Sequence, residues 1–153
     1  MDLLTINEEN FAAVLKCEVS PEQAKYVAPN VKSLAECYLY RNDGVMPFAL
    51  SVNGTIVGFA LLDIDDEERD VTIWRIMIDH NHQNKGYGRQ AIEKISAWVI
   101  INTPYRDLYI DYVLGNEQAK HLYEKMGFQP VRINEHGEQV MMRTLEKKGE
   151  ILN

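Results

Sequence analysis

The chain has 153 residues, of which 46% are hydrophobic and 25% are charged, as is usual for a globular protein of one domain. Its net charge of −7 and the lack of a basic stripe exclude a nucleic-acid-binding surface and suit a cationic small molecule. No apolar run is long enough to span a membrane, and the first residues lack the pattern of a signal peptide. Because Cys17 and Cys37 fall among apolar residues at helical positions, we expect free thiols in a cytoplasmic protein.

The first third of the chain predicts one strand and two helices. Asn7 is a suitable cap for the first helix, whose buried stripe would be Phe11, Val14 and Leu15. Ser20, followed by a proline, favours the start of a second helix. The elements predicted here are a strand over Leu3–Ile6, a helix from Asn7, and a helix from Ser20 that breaks at Pro29 and resumes over Val31–Tyr40.

The remaining two thirds predict a sheet with two further helices. Asn53-Gly54 favours a tight hairpin turn, and an acidic stretch over 65–70 favours another. The order of elements indicates a mixed α/β domain over 1–145, with a mostly antiparallel central sheet, helices on both faces and a polar tail over 146–153. The predicted strands are Phe48–Val52, Thr55–Ile64, Val71–Ile78, Asp107–Leu114, Phe128–Asn134 and Gln139–Leu145, with helices after Gly88 and from Asn116 to Gly127.

The stretch Trp74–Val99 reads as a buried strand, a polar loop with two glycines and an amphipathic helix. Gly86 and Gly88 carry no Cβ, so the backbone can come close to another group. A glycine loop at a helix N-terminus presents free N–H groups and the positive end of the helix dipole, which suits phosphate or pyrophosphate. Lys85 and Arg89 add positive charge beside it.

Two motifs identify a family. The spacing Gln83-x-x-Gly86-x-Gly88 resembles the acetyl-CoA signature of the GNAT superfamily of N-acetyltransferases. Asn116-x-x-Ala119-x-x-x-Tyr123-x-x-x-Gly127-Phe128 resembles the downstream signature of the same family, at the expected distance. The resemblance covers nearly the whole chain and implies the GNAT fold, acetyl-CoA as co-substrate and, from family habit, a homodimer. The cofactor-binding residues it implies are Ile76, Met77, Ile78, Gln83, Asn84, Lys85, Gly86, Tyr87, Gly88, Arg89, Asn116 and Tyr123.

Acetyl transfer to an amine needs a proton donor for the leaving thiolate and a proton acceptor for the amine. Tyr123 follows Asn116 by two helical turns, so both can face one cofactor, and its phenol is the candidate acid. The alternative for Tyr123 is a core tyrosine that packs under Phe128. Asp111 stands in an apolar strand, where an unpaired carboxylate is costly, and it is either the base or the partner of Arg75.

The acidic residues indicate a cationic acceptor. Six of them crowd around the turn that precedes the cofactor strand, where the alternative is an ordinary solvated turn. Glu36, Tyr38 and Asp63 are the candidate acceptor-binding residues. A resemblance to the bacterial Blt-type spermine/spermidine acetyltransferases lies in the segments SLAECYLY, NGTIVGFALL, GFQP and HGEQVMMRTL. It implies direct transfer to a primary amine, with a polyamine as the expected acceptor.

Other interpretations stay open at this point. The acceptor is alternatively a protein N-terminus, a lysine or another small amine, and a GNAT fold can also bind acetyl-CoA only as a sensor. Gly86-x-Gly88-x-x-Ala91 also fits a dinucleotide-binding fingerprint, but seven residues separate it from its strand. No metal is expected at His80 and His82, because two loop histidines without a third ligand are usually solvated.

Overall fold

The computed structural model describes residues 1–146 as a seven-stranded sheet with two helices on each face. Of the predicted polar tail, only Glu146 belongs to the described residues, and the prediction for 147–153 lies outside them. No helix within residues 1–146 is both long and apolar enough to cross a membrane. The elements are β1 (Asp2–Thr5), α1 (Phe11–Lys16), α2 (Asn30–Leu39), β2 (Val45–Val52), β3 (Thr55–Asp65), β4 (Asp70–Ile78), α3 (Tyr87–Asn102), β5 (Asp107–Tyr112), α4 (Glu117–Lys125), β6 (Gln129–Ile133) and β7 (Gln139–Thr144).

The strands lie in the order β1-β2-β3-β4-β5-β7-β6, and neighbouring strands are antiparallel except β4 and β5. The parallel pair is short, because only Val71–Ile73 of β4 pairs with Leu108–Ile110 of β5. Beyond Ile73 the two strands separate, and we call the resulting opening the sheet cleft. The predicted mixed α/β fold with a mostly antiparallel sheet is confirmed.

Each face of the sheet has its own core. On the α3/α4 face, Ile92 and Ile95 of α3 pack with Leu108 and Ile110 of β5. On the α1/α2 face, Val14 of α1 packs with strand residues that include Phe59, Leu61 and Met77. Strand alternation therefore decides which side chains can meet, since successive residues point to opposite faces.

A bulge in β4 breaks the predicted alternation of that strand. Leu61 of β3 pairs with Arg75, but the next residue, Leu62, pairs with Ile73, so Trp74 is the extra residue. Trp74 and Arg75 consequently both lie on the α1/α2 face, where Trp74 packs in the core and Arg75 reaches α2. The bulge lies where β4 separates from β5.

The first helix is shorter than predicted. It begins at Phe11, and the Asn7 side chain caps the preceding turn instead, where Oδ1 accepts hydrogen bonds from the N–H groups of Glu9 and Asn10. The prediction of a buried stripe over Phe11, Val14 and Leu15 is wrong for two of its three members. Val14 is fully buried, whereas Phe11 and Leu15 are exposed, because one short helix presents only a narrow line to the sheet.

The segment Ser20–Val27, which we call the strap, is not the helix that the sequence predicts. Its backbone forms four-residue β-turns, with bonds from the Gln23 N–H to the Ser20 carbonyl and from the Tyr26 N–H to the Gln23 carbonyl. The Gln23 side chain accepts a bond from the Ser20 N–H and reaches across to the loop after β4. Contacts with distant parts of the chain therefore override the local helix signal.

Candidate functional site

A cavity of about 440 Å³ lies between the free end of β4 and the start of α4. Its walls come from four parts of the chain: the strap, the end of β4, the loop into α3, and the residues from Gly115 to Tyr123. Of the residues predicted to bind the cofactor, eleven line it: Ile76, Met77, Ile78, Gln83, Asn84, Gly86, Tyr87, Gly88, Arg89, Asn116 and Tyr123. Lys85 does not line it and is exposed.

The loop into α3 has the geometry of an anion site. Asn84 and Gly86 both adopt positive φ, of 62° and 77°, so the chain turns sharply before the helix begins. The first bond of the helix is donated by the Gln90 N–H to the Gly86 carbonyl. The N–H groups of Tyr87, Gly88 and Arg89 precede that bond and have no backbone partner within residues 1–146, so they can donate to a ligand, as the glycine motif predicts.

Gly88 serves a second purpose. A Cβ built on Gly88 would stand 3.3 Å from Cδ2 of Leu122 on α4, which is tighter than ordinary contact. The glycine thus lets α3 approach α4 closely, and the loop and the start of α4 converge on one cavity.

The edge of β4 that faces the sheet cleft is open. In the part of the chain that the structure describes, Trp74–Ile78 has a strand partner only on its β3 side, because pairing with β5 ends at Ile73. Backbone N–H and C=O groups on this edge are available to an extended ligand. One of them is already used, since the Gln83 side chain donates a 2.9 Å hydrogen bond to the Ile78 carbonyl.

Asn116 and Tyr123 each make a structural contact within the fold and also line the cavity. The Asn116 side chain caps α4 by accepting a bond from the Ala119 N–H, and the residue also lines the cavity. The Tyr123 ring packs against Tyr112 and Phe128, with ring centres 6.2 and 6.1 Å apart, and it too lines the cavity. Burial, and then the nearby Asp111 carboxylate, raises the pKa of the Tyr123 phenol, which is only 6% exposed and therefore stays protonated.

Residues 6–128 match the model of the acetyltransferase (GNAT) family. The chain belongs to the GNAT family of acetyltransferases. This confirms the family that the two motifs indicate, and acetyl-CoA is the co-substrate that goes with it.

Known proteins agree with this assignment over nearly the full chain. A spermine/spermidine N(1)-acetyltransferase of Bacillus subtilis is 26% identical over an alignment of 155 residues, gaps included. The alignment covers 95% of this chain and 99% of that protein. A spermidine N-acetyltransferase of Vibrio cholerae, solved in complex with CoA and spermine, superposes with a TM-score of 0.72 at 18% identity over 92% of each chain. An aminoglycoside acetyltransferase, solved in complex with coenzyme A and kanamycin, has a TM-score of 0.76 at 18% identity over 93% of each chain. These structural likenesses show the shared fold.

The residues that the sequence proposed as the base or as acceptor-binding residues, Asp111, Glu36, Tyr38 and Asp63, lie outside the cavity. Asp111 is the residue after the last β4–β5 pair and points to the α1/α2 face, opposite to its neighbour Ile110. Arg75 is not its partner, so that prediction is wrong. The Asp111 Oδ2 instead accepts a 3.4 Å hydrogen bond from Asn134, while its Oδ1 is buried without a partner among the described residues. Burial and the charge of Glu138 raise the pKa of the Asp111 carboxyl.

The predicted acceptor-binding residues lie apart from one another. Glu36 forms an ion pair with Arg75, with 3.5 Å between Oε1 and Nη2. Tyr38 is 71% exposed and lies under the Arg41 guanidinium, so it forms no wall of an enclosed site. Asp63 is half-buried on the α1/α2 face, where burial and the charges of Asp65 and Asp43 raise the pKa of its carboxyl.

Asp63 belongs to a group of carboxylates that we call the acidic cluster: Asp63, Asp65, Asp70 and Asp107. All four lie on the α1/α2 face, because each alternates along its strand with a residue of the α3/α4 core. Burial and the charges of its neighbours raise the pKa of the Asp70 carboxyl too. The cluster lies at the end of β4 opposite to the glycine loop.

The strap supplies cavity residues that the sequence did not assign to the cofactor, although the sequence also offers Tyr26 as an aromatic wall for the acceptor. Gln23, Tyr26 and the valines at both ends of the strap line the cavity. The only signal for them was the position of the segment between α1 and α2, and its helical pattern pointed away from this role. They face the glycine loop and Gly115 across the cavity.

Proposed function

We propose that this chain transfers the acetyl group of acetyl-CoA directly to a primary amine of a polyamine such as spermidine or spermine. The observation that carries the proposal is the sheet cleft, which Tyr123 lines on the α3/α4 face and which begins where Asp111 follows the last β4–β5 pair. The glycine loop lies at one end of β4 and the acidic cluster at the other. This arrangement offers separate positions for an anionic cofactor and a long cation.

The cavity has the groups that the cofactor requires. The free N–H groups of Tyr87, Gly88 and Arg89 would bind the pyrophosphate. The open edge of Ile76–Ile78 would bind the amides of the pantetheine arm, with Asn116 opposite. Acetyl-CoA supplies the thioester, and the protein would hold it in a fixed orientation. The bound amine then attacks a correctly placed carbonyl carbon, which lowers the entropic cost of the reaction.

Two side chains would move the protons. Asp111 would accept the proton that the amine must lose, and its raised pKa makes it a stronger base than an exposed aspartate. As the amine nitrogen bonds to the carbonyl carbon and the carbon–sulfur bond breaks, the Tyr123 phenol would donate its proton to the sulfur. Burial first, and then the charge of Asp111, raises the pKa of the Tyr123 phenol, which therefore keeps the proton that it would donate.

The acidic cluster favours a polyamine over a short amine. From Trp74 at the cleft back to Asp70, β4 spans four residues, or about 13 Å at about 3.3 Å per residue. Asp63 is nearer, since it pairs with Thr72, but an amine that reacts at the cleft can reach Asp70 only if it carries further ammonium groups on a long chain. The names of the Bacillus and Vibrio proteins agree with this choice.

Thiol release from acetyl-CoA tests the proposal, with spermine, spermidine, putrescine, a lysine peptide and an aminoglycoside as acceptors. We expect turnover of spermine and spermidine that falls as salt screens the acidic cluster. Asp63→Asn should raise KM for spermidine, whereas the matched change Glu67→Gln, in the exposed turn beside the cluster, should not. Turnover of the peptide or the aminoglycoside alone would overturn the polyamine proposal, and CoA binding without any turnover would favour a sensor.

A further inference from the structure

The strap crosses the cavity and bonds to both of its walls. On one side, Gln23 and Gln83 form a reciprocal pair of amide hydrogen bonds, of 3.0 and 2.9 Å. On the other side, the Tyr26 hydroxyl donates a 3.2 Å bond to the carbonyl of Gly115. A weaker contact of 3.4 Å joins Gln23 to Gln118 on α4. The strap thus covers the cavity between the glycine loop and the start of α4.

The two ends of the strap are fixed to the body of the protein. Before the strap, the Glu18 N–H donates a 3.0 Å bond to the buried Asp79 carboxylate, and the Glu18 carbonyl accepts one from the His80 N–H. After it, the buried Asn30 side chain donates bonds of 2.9 and 3.3 Å to the carbonyls of Val14 and Cys17. These anchors hold both ends in place.

Between its anchors, the strap is held weakly. Its backbone has β-turns rather than the continuous hydrogen bonds of a helix, and its bonds across the cavity are between uncharged groups. Neutral hydrogen bonds of this kind add little net stability, because water or a ligand can replace each partner. The strap can therefore exchange these bonds without disturbing the sheet.

We propose that the strap is a movable wall of the acetyl-CoA site, and that Gln23 and Tyr26 are cofactor-binding residues outside the two family motifs. Gln23 releases Gln83, and Tyr26 releases Gly115, when acetyl-CoA enters. The strap then closes over the bound cofactor. Gln23 and Tyr26 form hydrogen bonds to the cofactor in place of their bonds to Gln83 and Gly115. This inference rests on the proposed function only in taking acetyl-CoA as the ligand of the cavity.

Limited digestion with trypsin tests the closure without any acceptor or turnover. Lys25 is exposed within the strap, and Arg69 is exposed in the turn between β3 and β4, far from the cavity. Saturating CoA should slow cleavage after Lys25 by about tenfold or more, since a closed strap opens less often. Cleavage after Arg69 should not change. Equal cleavage after Lys25 with and without bound CoA would overturn the closure.

Calorimetric titration with CoA tests the two binding residues. Gln23→Ala should weaken the Kd for CoA by about tenfold, which corresponds to the loss of one or two neutral hydrogen bonds. Tyr26→Phe should weaken it less, because only the hydroxyl is lost. The matched control is Glu22→Ala, an exposed residue of the strap that does not line the cavity.

The outcomes separate the two proposals. A Gln23→Ala variant with the wild-type Kd would overturn the assignment of Gln23 as a cofactor-binding residue. Wild-type protein that fails to bind CoA would instead overturn the proposed function, whatever the strap does. Tight CoA binding with protection of Lys25 would support the strap even if none of the tested amines is acetylated.

Discussion

Arg75 Nη2 lies 3.5 Å from Glu36 Oε1, so the α2 carboxylate that the sequence assigned to the amine already has a cationic partner. The bulge in β4 is the cause, since it brings Arg75 to the α1/α2 face together with Trp74. The guanidinium also stacks over the Trp74 ring, 4.7 Å from its centre. We therefore expect carboxylates other than Glu36 to attract the proposed polyamine.

This relationship gives a charge-reversal test. Glu36→Gln should raise KM for spermidine by about tenfold, because it leaves an unpaired guanidinium beside the acceptor. The double variant Glu36→Gln/Arg75→Gln has no charge at the pair, and its KM should return close to that of the wild type. Steady-state kinetics at fixed acetyl-CoA measures both. If the double variant stays as impaired as Glu36→Gln, then Glu36 binds the amine directly.

Tyr123→Phe should lower kcat by about a hundredfold and leave both KM values nearly unchanged, because it removes a proton donor and no binding surface. The ring still packs against Tyr112 and Phe128, so the melting temperature should be close to that of the wild type. In the wild type, kcat should fall only above about pH 10, because the pKa of Tyr123 is raised and the phenol stays protonated below that pH. Unchanged turnover of the variant would remove Tyr123 from the mechanism.

Asp111→Asn should lower kcat and raise thermal stability at pH 7. The folded state raises the pKa of Asp111 above its unfolded value, so the ionised carboxyl destabilises the fold at neutral pH. Asparagine cannot ionise, so it removes this penalty. Each kcal/mol of stability gained should raise the melting temperature by roughly 2–4 °C.

The pH dependence provides the control for Asp111. The gain in stability of Asp111→Asn over the wild type should be largest above the pKa that Asp111 has in the folded protein. It should shrink as pH falls towards the unfolded value of about 3.9, where both states bind the proton. A difference in melting temperature that does not depend on pH would contradict a titrating, destabilising carboxyl.

Gly86→Ala and Gly137→Ala form a matched pair for the glycine loop. Their φ angles are 77° and 76°, and an added Cβ meets no atom within 4 Å at either position. Each alanine should cost about 1 kcal/mol of stability, since both residues are in the left-handed region. Gly86→Ala alone should raise KM for acetyl-CoA, because it shifts the N–H groups of the loop. An equal effect of both variants on KM would show that the loop geometry is not needed for binding.

The sequence predicted the sheet and the cavity well, because both depend on local patterns. Gly86 needs a backbone conformation that glycine adopts freely, and Asn116 and Tyr123 follow the period of one helix. Spacing along the chain therefore places these residues correctly.

The sequence predicted less about the α1/α2 face. A bulge is a property of two strands, so nothing in the alternation of β4 alone shows that Trp74 and Arg75 share a face. The strap has a proline and a cap like the start of a helix, but the contacts of Gln23 with Gln83 decide its shape. Where contacts with distant residues oppose the local preference, the conformation of a segment cannot be predicted from its own sequence.

The short parallel pairing of β4 with β5 divides the sheet into two antiparallel parts, β1–β4 and β5–β7. A cofactor in the sheet cleft would touch Ile76–Ile78 of the first part and Asn116 after the second, and so would act as a cross-link between them. At a concentration one hundred times its Kd, such a ligand adds about 2.7 kcal/mol to the free energy of unfolding. The supply of acetyl-CoA in the cell would then control the lifetime of the enzyme against proteolysis as well as its rate.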